Sequence, residues 1–126
     1  MRILGHGIDV VSESRIAKLL ESHERWAEGL FSANERAIAA EVVRPARFYA
    51  GRYAAKEAVA KAMGTGFADG VTLHGIEVLR LASDAPVVRL SGGAKEMADR
   101  LGITRWLVSI SHCGDLATAS VITAGD

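Results

Sequence analysis

The sequence predicts an α+β fold in which an antiparallel sheet packs against one long helix. Three observations predict it. Residues 44–64 read as a single helix framed by Pro45 and Gly64. Around it the first half of the chain is mostly helical after one opening strand, while the second half turns to short β runs. The last two of those runs flank Cys113-Gly114-Asp115, which is the pattern of a hairpin. Runs of helix followed by runs of strand belong to the α+β class.

Residues 2–11 mix Ile3, Leu4, Ile8, Val10 and Val11 with Gly5 and Gly7, a buried strand with a bulge or a close backbone approach. Asp9 sits inside that apolar run. A carboxylate there is costly unless it is hydrogen-bonded, paired or bound to a metal. The plain alternative is an Asp that accepts backbone N–H groups at a strand-to-helix turn. Ser12 then caps a helix with Ile16, Leu19 and Leu20 on its apolar face and Arg15 and Lys18 left for solvent or a partner. Residues 22–30 are short and mixed; Trp26, beside Arg25, is either core or an exposed anchor. Ser32-Ala33-Asn34-Glu35 fits a capping box, with a helix running to about Val42.

The long helix follows. Pro45 suits a first turn, where its missing N–H is no loss, and Gly64 suits the left-handed residue after the last. Arg44, Arg47, Arg52, Lys56 and Lys61 stand against a single acid, Glu57, which suggests a phosphate or acidic partner. Glu57 and Lys61 are four apart and share a face with Tyr53, the spacing either of an ordinary surface ion pair or of a site. Six alanines (50, 54, 55, 58, 60 and 62) leave the helix little bulk, so other backbone or a ligand can approach closely.

After Gly64-Thr65-Gly66 the chain changes character. Residues 71–74 and 76–81 read as strands broken by Gly75, residues 87–90 as a third, and Ser91-Gly92-Gly93 leads into a helix closed by Gly102. Residues 105–112 and 116–122 form the final hairpin. His112 ends an apolar strand at the mouth of a turn, where it either closes the sheet edge or contacts a phosphate or reacting group. His6, His23 and His74 lack metal-ligand spacing, and Cys113 has neither a second cysteine nor flanking bases.

Composition bounds the rest. With 126 residues, 49% hydrophobic and 24% charged, the chain suits one globular domain, residues 1–126. A single cysteine allows no internal disulfide and fits the cytoplasm. The opening residues carry no apolar run long enough for a signal peptide or membrane span. Residues 1–63 hold ten Lys or Arg and eight Asp or Glu, the remainder five and seven. That mild asymmetry argues against a nucleic-acid binder and favours a small phosphorylated ligand or an acidic protein. The standard nucleotide loops are absent, since Gly5-His6-Gly7 lacks its third glycine and Gly64-Thr65-Gly66 is followed by Phe67.

Taken together, Gly7-Ile8-Asp9-Val10-Val11 with Arg15, Phe31-Ser32-Ala33-Asn34-Glu35, the run Arg52 to Gly66 containing Ala55-Lys56-Glu57-Ala58, and Ser109-Ile110-Ser111-His112 resemble the holo-acyl-carrier-protein synthase family of small phosphopantetheinyl transferases. The motifs occur in the family's order over nearly the whole chain. The resemblance implies a phosphopantetheinyl transferase-like fold and a homotrimer with active sites between subunits. The reaction implied is Mg²⁺-dependent transfer of 4'-phosphopantetheine from coenzyme A to apo acyl carrier protein, in fatty-acid biosynthesis by default. Asp9 and Glu57 match the metal carboxylates, and Lys61 the lysine near the diphosphate. Arg52 and His112 match coenzyme A contacts, to which Gly64 and Gly66 belong through their motif. Asp9, Glu57, Lys61 and His112 make up the implied catalytic set. Arg15, Arg25 and Trp26 match the surface that docks the acidic helix of the carrier. Two positions depart from the family: Cys113 follows the histidine where a polar residue is usual, and Tyr53 stands for Phe or Trp. The rivals are a coenzyme A binder without turnover and a structural protein with solvated charges; magnesium-dependent transfer separates them from the enzyme.

Overall fold

The computed structural model describes all residues, 1–126. In chain order the elements are β1 (Arg2–Ser12), α1 (Glu13–Ser22), α2 (Trp26–Leu30), α3 (Ala33–Ala39), α4 (Pro45–Met63), β2 (Ile76–Arg80), β3 (Pro86–Leu90), α5 (Gly92–Leu101), β4 (Arg105–Cys113) and β5 (Leu116–Gly125). The strands make two antiparallel sheets, a three-stranded one in the order β1-β5-β4 and the hairpin β2-β3. No helix is long and apolar enough to cross a membrane.

Helix α4 is the spine. It starts with Pro45 in its first turn and ends at Gly64, whose φ of 78° is the left-handed cap that glycine adopts without strain. Its alanines explain how it is used. Ala50, Ala54, Ala55, Ala58 and Ala60 are all fully buried, because β1, β5, α1 and β2 pack around it. The closest approach is by β1. A Cβ at Gly7 would stand 2.0 Å from the Ala58 carbonyl oxygen, and one at Gly5 equally close to that of Ala62. Strand backbone therefore lies directly on helix backbone, and the register of β1 along α4 is fixed by two residues without side chains. The expected bulge falls between Ile3 and Gly5.

The core continues through Phe31, Val59, Ile76, Val78 and Val121, each fully buried, at about 1.5–3 kcal/mol per side chain. Phe31 and Tyr49 rings meet at 4.7 Å and Trp26 joins them from the side. The capping box at Ser32 and Glu35 forms as expected. Its glutamate also crosses the core, with Glu35 Oε1 accepting from Lys56 Nζ at 2.8 Å and Oε2 from the Val78 N–H at 2.8 Å.

Three expectations need correction. Residues 71–74 are turn and irregular chain, not strand; the Lys56 ammonium holds the Leu73 and Ile76 carbonyls, so they are satisfied without a partner strand. Helix α3 stops at Ala39 rather than near Val42, its end tightened by the Glu41 N–H donating to the Ile38 carbonyl three residues back at 3.0 Å. Lys56, counted among the cations facing a partner, is fully buried.

Candidate active site: two clefts on one helix

The first cleft, of about 280 Å³, opens between β1, α1 and the C-terminal half of α4. Because the Gly5 and Gly7 contacts press β1 onto α4, Asp9 comes level with Lys61. Lys61 Nζ donates to Asp9 Oδ1 at 3.1 Å and to the Ile8 carbonyl at 3.0 Å. Asp9 is thus paired across elements, and the reading of it as a turn aspartate bonded to backbone does not hold. The ordinary Glu57-to-Lys61 helix pair does not form either; the lysine reaches to the strand instead. Glu57 and Tyr53 line the same cleft one turn apart, facing Arg15 and the apolar Ile16 and Leu19 of α1.

Burial pushes the Glu57 carboxyl above its ordinary range; the Tyr53 hydroxyl pulls it back, the Asp9 charge adds to the rise and Lys61 opposes it. Burial, and then the Glu57 charge, likewise raise the Tyr53 phenol. The cleft therefore holds two carboxylates, Asp9 paired to Lys61 and Glu57 raised by burial, beside one movable ammonium. It can hold a hard cation, stabilise phosphate charge and accept a proton.

The second cleft, of about 320 Å³, lies at the N-terminal half of α4 and is lined by Val42, Arg44, Arg47, Phe48, Arg52 and His112 among others, none of them acidic. The His112 ring rests on Gly51, where a Cβ would stand 3.0 Å from Nε2. That Nε2 is 3.2 Å from the Arg47 carbonyl oxygen, which can only accept, so Nε2 carries the hydrogen. The Arg52 guanidinium lies 4.5 Å over the Phe48 ring, and its Nε is buried without a hydrogen-bond partner. Burial first, and then repulsion from Arg80, lower the Arg52 pKa, so an incoming anion would relieve a real cost. Cations around an apolar wall suit a phosphorylated ligand with a ring.

The matching family model is described as the 4'-phosphopantetheinyl transferase superfamily and matches residues 5–119. The chain belongs to this superfamily. It is 45% identical over 124 residues to a holo-[acyl-carrier-protein] synthase of Solidesulfovibrio magneticus, covering 98% of this chain and 99% of the relative. Among solved structures, a holo-[acyl-carrier-protein] synthase from Neisseria meningitidis superposes with a TM-score of 0.90 at 29% identity, covering 98% of this chain and 99% of that one. The Helicobacter pylori synthase in complex with coenzyme A superposes with a TM-score of 0.82 at 30% identity, over 94% and 99% of the two chains. The α+β architecture expected of a phosphopantetheinyl transferase is therefore the one found.

Within that superfamily fold the sequence-expected site residues do not converge on one spot of the chain. Asp9, Glu57, Lys61 and Arg15 share the first cleft, while Arg52 and His112 share the second. Gly64 and Gly66, with φ of 78° and 57°, line neither. Arg25 is exposed but tied to Glu28 at 3.1 Å. Trp26 is half-buried, its ring stacked on Tyr53 at 6.1 Å, so packing already occupies it. The sequence reads Arg44 and Arg47 only as part of a charge excess, yet both line the second cleft. The signal was there in two arginines flanking a helix start, but nothing in it said which way they turn.

Proposed function

We propose that this protein is a holo-[acyl-carrier-protein] synthase, formed of one phosphopantetheinyl transferase domain over residues 1–126. It moves the 4'-phosphopantetheine arm of coenzyme A onto a serine hydroxyl of apo acyl carrier protein and releases adenosine 3',5'-bisphosphate. Membership of the superfamily and full-length likeness to synthases support the reading. The observation that carries it is the Asp9–Lys61 pair beside Glu57 in one open cleft. A binder without turnover has no need to gather two carboxylates and an ammonium at the foot of a docking helix.

The donor set fits Mg²⁺. That ion takes one or two carboxylates and keeps the rest of its shell for waters and substrate phosphates. The chain offers two carboxylates here and no group of three or more His, Cys, Asp or Glu that would cage an ion fully. Asp9 and Glu57 would hold the cation, which when bound would neutralise charge growing on the diphosphate. The second cleft takes the nucleotide end, with Arg44, Arg47, Arg52 and His112 on its phosphates and Phe48 as an apolar wall. Lys61 turns from Asp9 to the diphosphate and stabilises the departing phosphate. The serine oxygen bonds to the phosphorus that bears the pantetheine arm. The bond from that phosphorus to the bridging oxygen breaks, and its electron pair leaves on adenosine 3',5'-bisphosphate. Glu57, or a water held by Asp9, accepts the serine proton. Arg15 at the mouth of the first cleft has no acidic partner of its own and meets the acidic helix of the carrier.

A homotrimer completes the site. The outer face of the three-stranded sheet leaves Ile8, Val10, Leu107 and Leu116 exposed by 55%, 57%, 39% and 50%, interleaved with Ser109, Ser111, Thr118 and Ser120, with Arg105 at one end of the face. A patch of that kind suits burial against copies of itself. Two half-sites on separate clefts of one chain suit an active site between neighbours. The setting is the cytoplasm and fatty-acid biosynthesis, in keeping with a lone free thiol.

The test is the intact mass of apo acyl carrier protein after incubation with this protein, coenzyme A and Mg²⁺, beside reactions with EDTA or with Glu57→Ala. Gain of one phosphopantetheine arm that vanishes in both controls is expected. Tight coenzyme A binding with no gain on several carriers would leave only the binder.

A further inference from the structure

The turn between β4 and β5 holds α1 from outside. Helix α1 has ten residues, a length at which an isolated helix is marginal in water. Its own cap is weak: Ser12 Oγ accepts the Arg15 N–H at 3.3 Å. The stronger contacts come from Asp115, about a hundred positions later in the chain. Its backbone oxygen accepts the Glu13 N–H at 2.7 Å, and its carboxylate accepts the Ser14 N–H at 2.9 Å, the Ser14 hydroxyl at 2.8 Å and the Ser12 hydroxyl at 2.7 Å. The first three amides of α1 are thus all satisfied, two of them by one residue of another element. The negative charge also faces the positive end of the helix dipole.

Asp115 sits in a two-residue turn whose flanking strands pair in register up to Cys113 and Leu116. Its position is therefore set by the sheet, and it passes that position on to α1. Nothing about it serves the core, since the side chain is at the surface. What α1 presents in return is one wall of the first cleft, with Arg15 at its rim and Ile16 and Leu19 behind. The hydroxyl and amide donors keep the Asp115 carboxyl below the usual carboxylate range, the Ser12 hydroxyl contributing most, so the latch stays charged at neutral pH.

We infer that Asp115 is a positioning residue for carrier recognition: it latches the first turn of α1 to the β4–β5 turn and so fixes Arg15 at the mouth of the cleft. This rests on the proposal that α1 docks the carrier. Removing the latch lets the first turn fray, and Arg15 must be re-ordered each time a carrier binds. The loss falls on carrier binding and the Asp9, Glu57 and Lys61 set keeps its place; Glu13 of the same turn also holds Arg44 of the second cleft at 2.7 Å, so a smaller loss of coenzyme A binding accompanies it.

The experiment is steady-state kinetics of Asp115→Ala, Arg15→Ala and the double variant, with apo acyl carrier protein and coenzyme A varied in turn and hydrogen exchange of the α1 amides followed alongside. Asp115→Ala is expected to raise the carrier KM about fivefold or more, at the size typical of a lost cap. Its kcat stays within about twofold of wild type, the coenzyme A KM rises less than the carrier KM, and exchange at Ser14 and Arg15 quickens. In the Arg15→Ala background the same change adds little, because the latch acts through that arginine. Asp115→Asn, which keeps a carbonyl acceptor, gives a smaller shift in the same direction. A fall in kcat with the carrier KM unchanged overturns the inference, as do independent, multiplying effects of the two single changes. If Arg15→Ala leaves the carrier KM unmoved while wild type turns over, the docking role of α1 fails and the latch fails with it. If wild type makes no holo carrier at all, the transferase reading is the one that has fallen.

Discussion

Lys56 and Lys61 stand on the same helix, and each meets a carboxylate from another element at about the same distance, 2.8 Å to Glu35 and 3.1 Å to Asp9. The first pair is fully buried on both sides; in the second, Lys61 is 52% exposed and Asp9 17%. That difference assigns them opposite work. Lys56 has every proton directed: Glu35, Leu73 and Ile76 take its hydrogen bonds, and its ammonium lies 4.9 Å over the Phe31 ring. It can release none of them without leaving a buried polar group unmatched. Lys61 has only Asp9 and a carbonyl, with solvent on its other side. It can leave for a phosphate at little cost. One helix therefore carries a lysine that fixes the fold and a lysine free to take part in chemistry.

The largest effect expected from this contrast is on stability. Lys56→Ala strands the Glu35 charge in the core and should cost about 3–5 kcal/mol, read as a lowered urea midpoint. Lys61→Ala should stay within about 1 kcal/mol, as open ion pairs do. Equal losses in the two variants would break the comparison.

Activity should run the other way. Lys61→Ala and Glu57→Ala are expected to lower kcat/KM about 10²- to 10³-fold, the loss typical when one charge-stabilising group is removed, with melting temperatures close to wild type. Mixing Glu57→Ala subunits with Arg52→Ala subunits, after partial denaturation and refolding, should restore part of the lost rate, because a cleft with both halves intact reappears between unlike neighbours. Failure of mixing, with the trimer mass confirmed by light scattering, would return both halves of the site to one chain.

Metal should separate the two pairs more gently. Mg²⁺ at a hundred times Kd is expected to stabilise wild type by about 2.7 kcal/mol, read as a raised melting temperature, and not to stabilise Asp9→Asn. A shift that survives in Asp9→Asn would move the cation away from Asp9.

Much of this contrast was legible in the chain, and the illegible part has a physical reason. The spine helix, its Pro and Gly ends and the capping box are local signals, and each appears where expected. Gly5 and Gly7 signalled a close approach, and the alanines of α4 signalled the surface that receives it. Which of two lysines in Ala-Ala-Lys-Glu-Ala-Val-Ala-Lys is buried was not legible, since the helix is packed on nearly every side and carries no clean polar face. Glu35 announced itself only as a capping residue; that its second oxygen and its charge cross the core to Val78 and Lys56 depends on contacts 43 and 21 positions away. Residues 71–74 looked like strand for the same reason: their apolar pattern is real, but the backbone acceptor there is claimed by Lys56. Asp115 was invisible as anything but a turn residue, because its work is done on a helix at the other end of the chain.

The smallest effect separates the carboxylates rather than the lysines. Burial raises the Glu57 pKa from its ordinary 4.5, so the folded protein binds that proton more tightly than the unfolded chain does. Stability then falls as pH climbs from the ordinary value through the folded one, and stays lower above it. In EDTA, Glu57→Gln removes the charge that burial disfavours. It should match wild type below about pH 4 and be the more stable of the two at neutral pH, by much less than the Lys56→Ala loss. Adding Mg²⁺ should then narrow or reverse the order, since only the carboxylate gains a cation. A Glu57→Gln protein less stable than wild type at neutral pH in EDTA would mean that Glu57, like Glu35, is held by the fold, and the open cleft would have lost its distinction from the buried pair.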